Sequence, residues 1–369
     1  MKLGRNETCY CWSWKKHKKC CLEKDSDAFK KAEEYFLNQR MVSAWLKRIW
    51  VYIWYKFVKP VAFNGEMMRA LANVVYRRPI TETFHEFLVY ILAIRLWNKW
   101  FSEQEVSSKQ HFIYKCYSEY NKWKIDGVWK NPSETRIAMQ PNGYVLCLTQ
   151  LAYDIVSLVQ TSNLESSKLI RKFKEFISFQ WTRYEVAIAW IFARLWFKIE
   201  FLDKWKQSEK HCEFNASSKE LWTTISVEAK SKHRNWVLHQ NWLFVLPKDV
   251  MWDIIGLIGD ALTQNPNKNG FIVFVDLNLP NFTQDEWQNH IKTNISQIIN
   301  KKYEKELLGI NALVITNFSS HYFESNVVPN WNYLIILPHK PSFEIPVLFY
   351  EMLENVLGNY NIIPDLERI

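Results

Sequence analysis

The sequence predicts a protein of the α+β or α/β class that is built in three parts. Cysteines cluster near the N-terminus, apolar residues then recur at helical spacing, and short apolar runs such as residues 271–275 and 312–316 follow in the second half. Runs of that kind are typical of strands covered on both faces of a sheet. We therefore expect a small cysteine-rich segment at residues 1–22, an all-helical domain at residues 23–165, and a mixed sheet covered by helices at residues 166–369.

The N-terminal segment carries four cysteines in two close pairs, with eight residues between the pairs: Cys9, Cys11, Cys20 and Cys21. Zn²⁺ in a structural site prefers a closed tetrahedron of soft ligands, and this spacing can supply four thiolates. A segment this short has no core of its own, so zinc binding would supply its folding free energy, on the order of 10 kcal/mol. We expect a structural zinc ion here; a redox-active or incidental cysteine cluster is the alternative.

The cysteine pattern resembles the SEC-C motif, a zinc knuckle found at the tail of the bacterial secretion ATPase and in many other bacterial proteins. Four lysines make its loop basic: Lys15, Lys16, Lys18 and Lys19. The resemblance implies that Cys21 is the last ligand and that His17 is not a ligand. It also implies a docking role, in which the basic knuckle binds a protein, ribosome or lipid surface.

The charge and hydrophobicity of the chain limit the classes of partner and the cellular compartments that fit it. A net charge of +9 and a pI near 9.0 favour acidic or nucleic-acid partners. The longest apolar stretches, such as residues 87–94, are well short of the roughly 18 residues that a membrane-spanning helix needs. The N-terminus lacks the apolar core of a signal peptide. We therefore expect a cytoplasmic protein without a membrane span, in which Cys116, Cys147 and Cys212 are buried thiols.

The middle of the chain predicts helices that pack on one another, because apolar residues recur at spacings of three and four. The predicted helices cover residues 27–55, 65–76, 81–100 and 143–158. No pattern of catalytic side chains is present, so a scaffold or partner-docking domain is expected. A basic and aromatic stretch at residues 45–56 would also suit stacking on bases, although core packing accounts for such aromatics more often.

The C-terminal half predicts alternating helices and strands. A helix is expected at residues 173–195, and strands are expected at residues 197–202, 210–214, 223–230, 271–275, 312–316 and 333–337. Side chains alternate along a strand, so Glu228 and Lys230 share one face of the third of these elements. Asp276 ends an apolar strand and is a lesser candidate for function, for which a helix-capping or turn role is expected.

The Glu-x-Lys pair resembles the half-motif of the PD-(D/E)XK nuclease fold, the fold of restriction endonucleases, in which a helix with Glu and a strand with an acid come first. The resemblance implies that Glu213 and Glu228 hold Mg²⁺ or Mn²⁺. It further implies that Glu185 is a helper acid and that Lys230 lies at the scissile phosphate. Position 213 departs from the pattern, which has Pro-Asp there. Phrases at residues 213–216, 227–234 and 274–280 also resemble an uncharacterised bacterial SEC-C family with such a C-terminal half.

Three basic residues follow the pair and are placed to contact a phosphate backbone: Lys232, His233 and Arg234. The sequence therefore predicts a zinc-binding protein whose nuclease-like domain cleaves or binds DNA or RNA. A non-catalytic adaptor that docks through the zinc knuckle is the alternative.

The chain has 19 Trp residues and only 9 Gly residues. The SEC-C motif normally has Gly at the positions of Trp12 and Trp14, and Trp196 lies at a predicted helix-to-strand turn where Gly would be the usual terminator. We hypothesise that several of these tryptophans are glycines encoded by UGA, a codon that some bacterial lineages read as Gly and other codes read as Trp.

Overall fold

The computed structural model of the chain describes residues 61–71, 74–130, 141–162, 169–202, 211–233, 247–279, 293, 295, 309–318, 332–338, 341 and 343–363. Residues 53–369 form one compact unit, and every described helix and strand belongs to it. The zinc segment predicted at residues 1–22 and the helix predicted at residues 27–55 lie outside the described residues.

A three-stranded antiparallel sheet lies where the sequence predicts a helix at residues 65–76. Its strands are β1 (Val61–Phe63), β2 (Glu66–Leu71) and β3 (Val74–Pro79). Asn64 and Gly65 join β1 to β2 with φ values of 50° and 80°, the left-handed pair typical of an Asn-Gly hairpin turn. The helix prediction was wrong because this turn and the strand pairing outweigh the helix-forming Glu, Met, Ala and Leu of the segment. The middle region is therefore not all-helical.

Three helices follow the small sheet: α1 (Phe84–Glu105), α2 (Phe112–Lys130) and α3 (Gly143–Thr161). They confirm the helices predicted at residues 81–100 and 143–158. Thr83 begins α1 with a capping box: Thr83 Oγ1 accepts from the Glu86 N–H at 3.3 Å, and the Glu86 carboxylate accepts from the Thr83 N–H at 2.7 Å. Within the described ranges, no helix is both long enough and apolar enough to cross a membrane.

The second half of the chain is a six-stranded mixed sheet covered by helices, as the sequence predicts. The helix predicted at residues 173–195 corresponds to α5 (Phe179–Arg194), which begins later than predicted, and the short helix α4 (Leu169–Phe173) ends where the predicted helix begins. The strands, in spatial order, are β4 (Lys198–Phe201), β5 (Phe214–Ser218), β6 (Thr223–Ser231), β7 (Gly270–Asp276), β8 (Ala312–Asn317) and β9 (Asn332–Ile336). Strands β6, β7 and β8 are parallel, and the other neighbours are antiparallel. Helix α6 (Pro247–Thr263) comes between β6 and β7, and α7 (Val347–Gly358) follows β9.

The sheet is covered on both faces, which explains its apolar central strands. Phe192 of α5 lies on one face, with ring centroids 5.6 to 6.0 Å from those of Phe197, Phe214, Phe274 and Phe349. Ile258 of α6 packs on the other face, in a buried cluster that includes Val273 and Val275 of β7. Helices α5 and α6 therefore lie on opposite sides of the sheet.

The helices of the middle region pack directly on this second half. The ring of Tyr153 in α3 lies edge-on to Trp190 of α5, with centroids 5.4 Å apart, and both side chains are buried. The packing thus continues across residue 165, where the sequence placed a domain boundary.

Candidate functional site

Strand β6 places two of the predicted catalytic side chains on one face of the sheet. Glu228 and Lys230 are the ladder partners of the two β7 valines that pack near α6, Val273 and Val275. Paired residues share a face, so both charged side chains lie on the side that α6 covers. The Lys230 ammonium forms an ion pair with the Glu228 carboxylate. Glu228 is 1% exposed, and the Lys230 side chain is 23% exposed.

Glu213 lies beside this pair, one residue ahead of β5. The antiparallel ladder pairs Phe214 with Val227, and Glu213 and Glu228 are the next residues outward on each side. The Glu213 N–H donates to the Val227 carbonyl at 3.0 Å. The Glu213 side chain is mostly buried. The ladder ends at the Phe214–Val227 pair, so the backbone of Glu213 lies next to Val227, the residue before Glu228 on β6.

Glu185 is placed apart from the other three. It lies on α5, and its carboxylate pairs with Lys172 Nζ at 3.3 Å. Because α5 covers the face opposite to α6, the sheet lies between Glu185 and the Glu228–Lys230 pair. The structure thus brings Glu228 and Lys230 into contact, places the backbone of Glu213 next to Val227, and pairs Glu185 with a lysine of α4.

The basic residues predicted to contact nucleic acid follow β6 directly. Lys232 Nζ pairs with Asp253 Oδ1 of α6 at 2.6 Å. The His233 ring lies 5.5 Å from the Trp181 ring of α5, centroid to centroid, in an edge arrangement. Lys232 and His233 thereby link the end of β6 to helices on both faces of the sheet. Arg234 lies outside the described residues.

The described part of the chain contains no group of three or more His, Cys, Asp or Glu side chains arranged to hold a metal ion. The cysteines predicted to bind zinc lie outside that part: Cys9, Cys11, Cys20 and Cys21. Mg²⁺ is commonly held by one or two carboxylates together with waters and substrate phosphates. The carboxylates of Glu213 and Glu228 fit that donor set in type and in number.

A polar cluster at the carboxyl ends of the parallel strands surrounds Asp276, the lesser candidate of the sequence, with Ser231 and Thr316, which the sequence did not single out. Asp276, at the end of β7, is buried, and its Oδ1 accepts from the Phe318 N–H at 3.0 Å and from Thr316 Oγ1 at 3.1 Å. Ser231, the ladder partner of Asp276 on β6, donates to Oδ2 at 3.5 Å. Burial raises the pKa of Asp276 to about 6. These contacts tie β7 to β8 and to the turn after β8, in line with the turn role expected for Asp276.

A small cavity adjoins this cluster on the α5 side of the sheet. Its lining includes Gln180 and Arg183 from α5, together with Ser231, Asp276 and Asn278 from the strand ends. The cavity has room for about one water molecule. Ligands of open α/β sheets bind at the carboxyl ends of strands, but this space is too small for a nucleotide. The signal for it in the sequence is the polar pair Asp276 and Asn278 directly after an apolar run.

The cysteines of the described residues are buried thiols, as predicted: Cys116, Cys147 and Cys212. Burial raises the pKa of Cys212 to about 11, so its thiol stays protonated at neutral pH. The Cys212 thiol is therefore a poor nucleophile and a poor metal ligand.

No family model, no curated protein and no solved structure matches this chain. The resemblances to the SEC-C motif and to the PD-(D/E)XK fold therefore rest on the sequence motifs themselves.

Proposed function

We propose that the chain is a zinc-binding protein whose C-terminal half cleaves phosphodiester bonds in nucleic acid with the help of Mg²⁺ or Mn²⁺. The observation that carries the proposal is the Glu228–Lys230 ion pair on β6, with Glu213 directly before the neighbouring strand β5 and hydrogen-bonded through its backbone to Val227. The order of the elements around the pair also supports it. Helix α5 is followed by β4, β5 and β6, which agrees with the helix and three strands of the nuclease half-motif.

Glu213 and Glu228 would hold the divalent ion. Two carboxylates near one ammonium leave an excess of negative charge. This charge attracts a divalent cation such as Mg²⁺, which prefers oxygen ligands. When bound, such an ion polarises the phosphodiester and lowers the pKa of a bound water. The net charge of +9 supports a polyanionic substrate, DNA or RNA.

Lys230 would contact the scissile phosphate. The Lys230 side chain is partly exposed. A positive charge at that position offsets the negative charge that grows on the phosphate oxygens during attack. The same ammonium offsets the cost of burying the Glu228 carboxylate, so Lys230 has both a structural and a chemical role.

The experiment is a cleavage assay with the full chain, Mg²⁺, and single- and double-stranded DNA and RNA. Removal of Lys230 alone would leave a buried carboxylate without its cation and would cost roughly 3 kcal/mol of stability or more. The double variant Glu228→Gln/Lys230→Met removes both charges, and Glu228→Gln leaves only the partly exposed lysine without its anion, so both are expected to fold and to lose cleavage. Lys198→Ala removes an exposed lysine of β4 in the same sheet and is expected to cleave like wild type. Cleavage by Glu228→Gln at the wild-type rate, or none by wild type on any of these substrates, would refute the proposal.

A further inference from the structure

Two tryptophans have a backbone conformation that tryptophan rarely adopts. Among the described residues, the non-glycine residues with positive φ are Asn64, Trp196, Trp222, Asn267 and Asn278. Asn tolerates the left-handed region because its short polar side chain can hydrogen-bond locally, but a bulky residue there meets a steric clash between Cβ and a carbonyl oxygen. Positive φ is therefore common for the three asparagines and unusual for the two tryptophans.

Trp196 ends helix α5 with a φ of 68°. The Trp196 N–H donates to the Ala193 carbonyl at 3.1 Å, and the Phe197 N–H donates to the Phe192 carbonyl at 3.1 Å. These two bonds define a Schellman motif, in which the residue at the position of Trp196 is left-handed and is usually glycine. The hydrogen bonds at the end of α5 therefore favour glycine at position 196, and this evidence does not depend on the amino-acid composition of the chain.

Trp222 is the last residue of the turn between β5 and β6, with a φ of 48°. Ser218 and Thr223 form the ladder pair that closes the turn. The left-handed position at the end of such a hairpin loop is one that glycine favours. Trp222 is 93% exposed, so burial of the indole contributes little to offset the strained backbone.

Trp190, by contrast, is buried and packs its indole ring against other aromatic side chains. Trp190 is 2% exposed, and its ring lies 5.4 Å from that of Tyr153 and 5.5 Å from that of Tyr360. The guanidinium of Arg194 lies 5.0 Å from the same ring. The chain therefore contains tryptophans that the core requires and tryptophans that the backbone disfavours.

The composition agrees with a mixture of this kind. An average share of about 7% would give about 26 glycines in a chain of this length, whereas the sequence has 9 Gly and 19 Trp. We infer that the native chain carries glycine at positions 196 and 222, and that the codons there are UGA triplets decoded by a glycine tRNA. The codon for Trp190 is then the ordinary UGG.

The first test determines the codons in the gene and the peptide masses of the native protein. UGA is expected at positions 196 and 222 and UGG at position 190, and peptides of the protein from its own organism are expected to have the mass of glycine at 196 and 222. UGG codons at both turns, or peptides with tryptophan there, would overturn the inference.

The second test measures stability in the expressed full chain, with each residue specified by a synthetic gene. Trp196→Gly and Trp222→Gly are expected to raise the urea midpoint of unfolding, because glycine adopts positive φ without strain. Trp196→Ala and Trp222→Ala are matched controls that remove the indole but keep Cβ, and each is expected to have a lower midpoint than the glycine variant. Trp190→Gly is expected to lower the midpoint strongly. Equal midpoints for Gly and Ala at both turns would also overturn the inference.

Discussion

Tyr360 Oη donates a hydrogen bond to Asp154 Oδ2 at 2.7 Å, which joins the segment after α7 to helix α3. Gln150 Nε2 donates to the other oxygen of the same carboxylate at 2.8 Å. Both acceptor oxygens of Asp154 are thus engaged inside the protein, in a position where water does not reach. The middle helices and the mixed sheet share this buried polar contact.

Stability is expected to fall as the pH rises toward neutrality, because of Asp154. Burial raises the pKa of Asp154 to about 7. Between its usual pKa, about 4, and that value, the folded chain keeps a proton that the unfolded chain has released, so the free energy of unfolding falls by up to about 1.4 kcal/mol per pH unit. The contribution is fully present below about pH 4 and is lost above about pH 7. Urea unfolding at several pH values across this window measures the slope.

Asp154→Asn is the control for that pH dependence. It removes the titrating carboxyl, so the slope is expected to become shallower, although Asp276, whose pKa is raised to about 6 by burial, still contributes in the same direction. A slope equal to that of wild type would assign the pH dependence to other groups.

Glu185→Gln is expected to leave any metal-dependent cleavage within a few-fold of wild type. The reason is that Glu185 lies on α5 with Lys172 as its partner, on the other side of the sheet from Glu228. The loss of an ion pair with a partly exposed lysine is expected to cost about 1 kcal/mol or less. Cleavage rates and urea midpoints of Glu185→Gln and Glu228→Gln, measured side by side, test this. Equal loss of cleavage in both variants would restore Glu185 to the catalytic set.

Asp276→Ala is expected to destabilise the fold by roughly 1 to 3 kcal/mol, because it leaves the buried Phe318 N–H without its acceptor, while the Thr316 hydroxyl keeps its hydrogen bond with the Tyr184 hydroxyl. Asp276→Asn keeps an oxygen at that position and is expected to cost less. Urea unfolding measures both. A catalytic role for Asp276 would give a different result, namely loss of cleavage in Asp276→Asn at nearly unchanged stability.

Zinc binding is expected to depend on the cysteines of the N-terminal segment. Cys11→Ser should lower the zinc content of the purified protein well below about one ion per chain, because a structural zinc site needs its full set of ligands. Cys212→Ser changes a buried thiol of the sheet domain and should leave the zinc content unchanged. Metal analysis of the two variants distinguishes a zinc knuckle from an incidental cysteine cluster.

The buried strands were the easiest elements to predict. Residues 271–275 and 312–316 correspond closely to β7 (Gly270–Asp276) and β8 (Ala312–Asn317), because a strand covered on both faces has a continuous apolar signal. Strand β5 was predicted at residues 210–214 and is Phe214–Ser218. Its small and polar residues carry little strand signal, and its position is set by the turn that pairs it with β6.

The candidate site was predictable only in part. Alternation along β6 predicts that Glu228 and Lys230 share a face, and their ladder partners in β7 agree with this. The position of Glu185 could not be predicted in the same way, because the sequence of a helix does not say which face of a sheet the helix covers.

The contact between α3 and α5 also determines where the chain can be cut. A fragment that begins at residue 166 would lose Tyr153 and Asp154, and would expose the faces of Trp190 and Tyr360 that these residues cover. Fresh apolar surface of that kind promotes aggregation. Division of the protein at residue 165, the domain boundary that the sequence predicts, is therefore expected to give two insoluble halves. A protein that keeps residues 53–369 together preserves these interactions.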